Sequence, residues 1–280
     1  MFVRQSIDNE QAARRWRGLQ QWYRQPPGRR FGAAETGILQ DMLPLLFGYY
    51  LIALGEPLTP ELFRVSPVSR CWLTGLTPEV SRQAELLLAP EQLPIATDSV
   101  DVLVLSHVLE FSRDPVATLK EVDRVLIAEG YAIILGFNPL SLWGLWYALG
   151  GRRRRREHPF NGTDVCSVFR LRSWLALLGL ETVAVHYHSY RPPLRESTTL
   201  ERSGFMESIG QRYCRPSGGG YILLAKKRVS TLTLLRPRWF GRHPVSTEGI
   251  AASYDADPWG LAESPLPSRL HVTNVPEETN

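Results

Sequence analysis

His107 is the ionisable residue best placed to do chemistry. It follows VDVLVL (Val100 to Leu105), a β-branched and leucine run that reads as a buried strand, and it stands at that strand's carboxyl end. In an open α/β sheet that edge is where ligands sit. An imidazole there titrates near neutral pH and can take a proton from an oxygen or nitrogen nucleophile, or it can pack and hydrogen-bond beside a ligand. His186 and His188 share one side of a strand and could begin a metal site. With no cysteine or clustered carboxylate near them, a structural role and no metal are expected. Cys71, Cys166 and Cys214 are odd in number and widely spaced, which excludes a disulfide framework and a CxxC zinc site and points to a reducing, cytoplasmic setting.

A second group of residues suits an interface. In LSLWGLWYALGGRRRRR, Trp143, Trp146 and Tyr147 precede the run Arg152 to Arg156. The pattern fits an interfacial helix on an anionic membrane surface, and it also fits a lid over a substrate cavity with a solvated basic end. Both readings imply an apolar or amphipathic small-molecule partner. The tryptophans precede the arginines instead of alternating with them, so nucleic acid is not expected as a partner.

The elements that must position these residues alternate in type. A helix is expected over Asn9 to Tyr23, ended by Gln25-Pro26-Pro27-Gly28, and a second from Ala34 to Leu46. Tyr49 to Leu54, Arg70 to Thr74 and Glu85 to Leu88 read as buried strands, with a helix over Pro78 to Gln83. Asp114-Pro115 starts a helix, since the aspartate caps free amides and proline loses nothing at the first position. Val116, Leu119, Val122, Val125 and Leu126 mark its buried face, Gly130 is expected to end it, and Tyr131 to Phe137 is the next strand. After a lid segment from Asn138 to Phe160, Leu171, Trp174, Leu175 and Leu178 form a helical face stopped by Gly179. Thr182 to Tyr190 and Gly218 to Lys226 complete the strands. The fold class is α/β, a doubly wound, seven-stranded, mostly parallel sheet. Residues 1–33 form an N-terminal helical extension, 34–228 the α/β domain, and 229–280 a linker and disordered tail.

At LPIATDSVDVLVLSHVLEF (Leu93 to Phe111) and EGYAIILGFNP (Glu129 to Pro139) the sequence resembles the class I S-adenosylmethionine-dependent methyltransferases, most of all the small-molecule group with a "LP-F-x-x-x-S-F-D" segment before its fourth strand. RLRSWLALLGLE (Arg170 to Glu181) is similar to the family's helix before the sixth strand. The resemblance implies S-adenosylmethionine as cofactor. It puts Glu91, Gln92 and Leu93 beside the adenine, Ser106 and His107 toward the methionine part and the reaction centre, and Gly55 in the family's Gly-rich loop. The sequence departs from the family at LGEPLTP (Leu54 to Pro60), at Cys71 to Gly75, which lacks the ribose-binding carboxylate, and at Ala89, where an aspartate often stands. Glu56 is either a displaced ribose ligand or a solvated turn residue. Asn138-Pro139 resembles half of the Asn/Asp-Pro-Pro-Tyr motif of amino-group methyltransferases but follows the fifth strand, so no catalytic role is assigned to it.

The resemblance implies methyl transfer to a small, apolar or amphipathic acceptor. A catalytically degenerate binding or membrane-associated regulatory protein is the alternative, and an RNA methyltransferase is a third. Composition bounds these. The 280 residues are 44% hydrophobic with a net charge of +4, too apolar and too little charged for a disordered chain. That charge averages −4 on residues 241–280 with +8 on the rest, and 29 of the 32 bases are arginine. The start, MFVRQSIDNEQ, has no apolar stretch of a signal peptide, and Leu140 to Leu149 is about half the length needed to span a bilayer.

Overall fold

In the computed structural model, which describes residues 16–55, 58–75, 86–87, 89–149, 165–190 and 215–228, the apolar runs form one seven-stranded sheet. The strands are β1 (Tyr50–Gly55), β2 (Arg70–Gly75), β3 (Leu86–Leu87), β4 (Val100–Ser106), β5 (Leu126–Phe137), β6 (Leu180–His188) and β7 (Gly220–Lys227). Their order is β3-β2-β1-β4-β5-β7-β6. The first five pair in parallel, and β7 runs antiparallel between β5 and β6. The order reverses between β1 and β4, and this switch point is where such sheets open a ligand crevice.

The side-chain alternation of β4 sorts the core into two layers. Leu103 and Leu105 pack with Leu119, Val122 and Val125 of α4 (Pro115–Val125) and with Val168, Leu171 and Leu175 of α6 (Val168–Leu177). Val102 and Val104 face the other way, against Leu39 and Met42 of α2 (Pro26–Met42). Both faces are covered, which is why the central strands read as unbroken apolar runs. A third cluster caps the carboxyl edge. It joins Trp16, Leu19, Trp22 and Tyr23 of α1 (described over residues 16–23), Phe31 of α2, Phe111 of the short helix α3 (Val108–Phe111), Phe137, and Trp143 of α5 (Leu142–Leu149).

Two boundaries differ from the sequence expectation, each for a local reason. Gln25-Pro26-Pro27-Gly28 ends α1 but also begins α2, eight residues ahead of Ala34, because the prolines occupy the first helical turn, where no amide partner is needed. Gly28 permits the tight join, since a Cβ there would lie 2.1 Å from the Trp22 carbonyl oxygen. Helix α4 stops at Val125 instead of at Gly130. Its last carbonyls are taken by other partners: Arg124 O and Val125 O accept from the amides of Asp98 and Ser99, both at 2.9 Å, and Lys227 Nζ donates to Asp123 O at 2.7 Å. The chain therefore enters β5 at Leu126, and Gly130 sits inside the strand after Glu129, which takes a φ of 64°. Glu56, the helix expected over Pro78 to Gln83, the run Arg152 to Arg156, Cys214 and the tail expected beyond Arg238 lie outside the described residues, as do the side chains of Trp146 and Tyr147.

Candidate active site

The switch point is built from Gly55 and Ser106, which are register partners at the carboxyl ends of β1 and β4. Gly55 has a φ of 92°, a conformation glycine adopts without cost, and a Cβ there would sit 2.1 Å from the Ser106 carbonyl oxygen. One residue on, the backbone of His107 turns into the left-handed region (φ 55°, ψ 22°) and feeds α3. A non-glycine residue in that region is uncommon, though histidine is among those enriched there. The turn aims the imidazole into the aromatic cap, where it stacks on Phe137 at 4.1 Å between ring centroids.

His107 is the centre of a buried polar cluster. Its Nε2 lies 2.9 Å from Glu35 Oε1 and 2.8 Å from the Tyr23 hydroxyl, and that hydroxyl donates to Glu35 Oε2 at 2.8 Å. Because the phenol spends its hydrogen on Glu35, Nε2 is the donor in this triangle. On the other side Nδ1 stands 3.6 Å from Glu110 Oε1, an ion-pair distance too long for a hydrogen bond. Glu110 Oε1 instead accepts the Phe137 amide at 2.9 Å, and its Oε2 has no partner. His188, at the end of β6, completes the group with Nε2 unpartnered and 3.9 Å from Glu35 Oε1. Glu35, His107, Glu110 and His188 are all buried.

The two histidines respond oppositely to this setting. Burial alone would lower the His107 pKa, but the carboxylates of Glu35 and Glu110 outweigh it and raise the value to about 9. The ring is therefore an imidazolium at neutral pH. Burial also dominates at His188 and, with the His107 charge opposing a second cation, lowers it to about 4 against the pull of Glu35. Tyr23 is pushed well up, first by burial and then by Glu35, so its phenol stays protonated. Cys166, raised to about 11 by burial and by Glu110, stays a thiol.

The structure brings Gly55, Ser106 and His107 to one place and packs Leu93 in the same apolar cluster as Leu54 and Leu105. Glu91 is spent elsewhere: its Oε1 accepts from the Ser112 hydroxyl and the Arg113 amide, each at 2.8 Å. Gln92 is exposed. At the end of β2, Thr74 donates to Ala53 O at 3.0 Å, and no carboxylate accompanies it among the described residues of that strand. His186 and His188 do not share a site, since the first is exposed and the second buried, and no group that could hold a metal ion occurs among the described residues. Asn138 proves structural, its amide donating to Pro216 O at 2.6 Å and Gly218 O at 2.9 Å.

Comparison with known proteins agrees with this architecture. A family model described as a methyltransferase domain matches residues 76–134. A possible histamine N-methyltransferase from Thermotoga maritima superposes with a TM-score of 0.55 at 18% identity, over 75% of this chain and 94% of that one. An S-adenosylmethionine-dependent methyltransferase from Mesorhizobium loti gives 0.51 at 15%, over 70% and 98%. The chain carries a methyltransferase domain with the class I S-adenosylmethionine-dependent fold. The chain is also 32% identical over 173 residues to YafS, an uncharacterized protein of Escherichia coli K12, covering 60% of the chain and 68% of YafS. S-adenosylmethionine is the family's cofactor, and the switch point fits it. The left-handed Gly55 keeps the first crossing free of a side chain, and Leu93 is buried in the apolar cluster that also holds Leu54 of β1.

Tyr23, Glu35 and Glu110 were not singled out from the sequence. Tyr23 ends the helix expected over Asn9 to Tyr23, spaced with Trp16 and Leu19 as an apolar face would be, and Glu35 sits among small residues with nothing to mark its burial. Glu110 did leave a signal, as a lone acid inside the apolar stretch HVLEF.

Proposed function

We propose that the protein transfers a methyl group to a small, apolar or amphipathic acceptor held at the carboxyl edge of β4 and β5. The observation that carries this reading is the composition of the cap. Trp22, Phe31, Phe137 and Trp143 enclose the edge, and within that apolar shell stands a single set of polar groups centred on His107. Such a mix of apolar wall and few convergent polar atoms is what orients a small molecule.

Gly55, Leu93 and Ser106 are the residues that would hold S-adenosylmethionine, which supplies an electrophilic methyl group when bound. The chain's own part is alignment and exclusion of water. Helices α1 and α2 are tied over the edge by the Tyr23–Glu35–His107 triangle. His107 is already protonated at neutral pH, so it holds a proton and serves as a fixed cation that positions Glu35 and Glu110. An acceptor that is already nucleophilic needs no base, and for it alignment supplies most of the rate. Isothermal titration with S-adenosylhomocysteine tests the reading. A saturable heat is expected, and folded protein that gives none at roughly millimolar ligand refutes it.

A further inference from the structure

Helix α5 points Trp143 inward and Leu142 and Leu145 outward. Trp143 is 7% exposed, in the aromatic cap, while Leu140, Leu142 and Leu145 are 68%, 44% and 54% exposed. Leu142 and Leu145 lie one turn apart and so share a face. Phe169, 67% exposed at the start of α6, lines a crevice of about 360 Å³ together with Leu140, Val168 and Tyr187. Leu140 and Phe169 thus meet in solvent at this crevice, and the exposed Leu142 and Leu145 follow Leu140 closely in the chain, a pattern that marks an interaction surface.

The charge around these residues selects the partner. Arg170 and Arg172 follow Phe169 on α6 and are exposed, and no acid is among the described residues that line the crevice. Glu181, in the neighbouring strand, is already held by Arg228 Nε at 2.7 Å. Helix α5 itself carries no charge, and in the sequence two glycines separate its end from five consecutive arginines. No helix among the described residues is long and apolar enough to cross a membrane. Leucines and a phenylalanine beside arginines on short surface helices are the composition that lies in the headgroup region of an anionic bilayer.

We infer that the rim formed by Leu140, Leu142, Leu145 and Phe169, with Arg170 and Arg172, docks the protein on an anionic membrane surface. Docking brings helix α5, whose Trp143 belongs to the aromatic cap, to the membrane surface, so the acceptor is an amphipathic molecule drawn from the bilayer. That last clause rests on the methyltransferase reading, whereas the docking does not. This assignment replaces Trp143 with Leu142 and Leu145 as the residues that enter the lipid.

Vesicle flotation of the full chain tests it. Vesicles of phosphatidylcholine containing phosphatidylglycerol should carry the protein, pure phosphatidylcholine vesicles should carry much less, and added salt should release it. Each leucine side chain moved out of water is worth about tenfold or more in partitioning, so Leu142→Ser with Leu145→Ser should weaken flotation at least tenfold. Both positions are exposed, so the variant should stay folded. Arg170→Gln with Arg172→Gln should reduce binding to anionic vesicles and leave the small binding to neutral ones unchanged. Docking is overturned if folded wild-type protein does not float, if it floats equally on neutral vesicles, or if the serine variant floats as well as wild type. It is also overturned if light scattering shows a dimer that the same serines dissolve, because the rim would then cover a second copy. Retained heat with S-adenosylhomocysteine in a serine variant that no longer floats separates loss of docking from loss of the cofactor site.

Discussion

Replacing Glu35 with Gln should flatten the alkaline side of the stability profile. Glu35 is the foremost source of the raised His107 pKa, and the change is isosteric, so the Tyr23 hydroxyl keeps an acceptor. In the unfolded chain the ring titrates near 6.5, while in the folded protein it holds its proton to about 9. Between those values the native state binds more protons than the unfolded one, so stability is fully present below about pH 6.5 and falls as pH rises through 9. The shift corresponds to roughly 3 kcal/mol for this fully buried group. With a urea m-value of about 1 to 3 kcal/mol/M, the wild-type midpoint should drop by roughly 1 to 3 M across that range. In Glu35→Gln the attraction is removed while burial remains, so the midpoint should stay nearly constant, starting lower because His107 has lost its closest counter-ion. Urea titrations at half-unit pH steps, read as the difference between the two proteins, cancel the titration of groups common to both. An undiminished slope in Glu35→Gln would refute the assignment of the ion pair.

His188 governs the opposite limb. Its pKa is lowered to about 4, so the unfolded chain takes up a proton first as pH falls, and stability contributed by the neutral ring is lost from about 6.5 downward. His188→Asn should therefore be less sensitive to acid than wild type in the same urea titration, and equal sensitivity would show the ring is not held neutral. Gly55→Ala must place a Cβ 2.1 Å from Ser106 O at a φ of 92°, so it should cost about 2 kcal/mol or more and abolish the heat with S-adenosylhomocysteine; an unaffected titration would remove Gly55 from the site. Glu91→Ala should lower stability by about 1 to 3 kcal/mol by freeing the Ser112 hydroxyl and the Arg113 amide, while S-adenosylhomocysteine affinity changes little. A large loss of affinity without loss of stability would return Glu91 to the adenine.

The strands were legible because their signal is local. VDVLVL cannot be anything but a covered strand, and Asp114-Pro115 marks its helix so plainly that Asp114 Oδ1 is found accepting from the amides of Val116 and Ala117, both at 3.0 Å. Boundaries failed where the deciding partner is remote: α4 ends at Val125 because Lys227, about a hundred residues later, takes carbonyls from its last turn. The site was half legible for the same reason. His107 could be placed from its own strand, but Glu35 is 72 residues away and Tyr23 is 84, and nothing local announces that they meet. The helix start expected at Ala34 set a boundary at residue 33, which falls inside α2.

The helices before β1 are therefore part of the candidate site's edge. A buried ion pair seldom stabilises a fold more than well-packed apolar residues of the same volume would, because desolvation offsets most of the Coulomb attraction. Here two carboxylates and an imidazolium lie among Phe31, Phe137 and Trp143, and three polar atoms, His107 Nδ1, Glu110 Oε2 and His188 Nε2, have no hydrogen-bond partner among the described residues. Leaving such atoms unpaired costs stability that an apolar plug would recover. The same cost gives the cluster its selectivity: with Tyr23 and Glu35 on the helical side and His107 and Glu110 on the sheet side, the helices close over the edge only in the register that forms the triangle. Polar atoms kept at a cost beside the switch point are best explained by what they orient there.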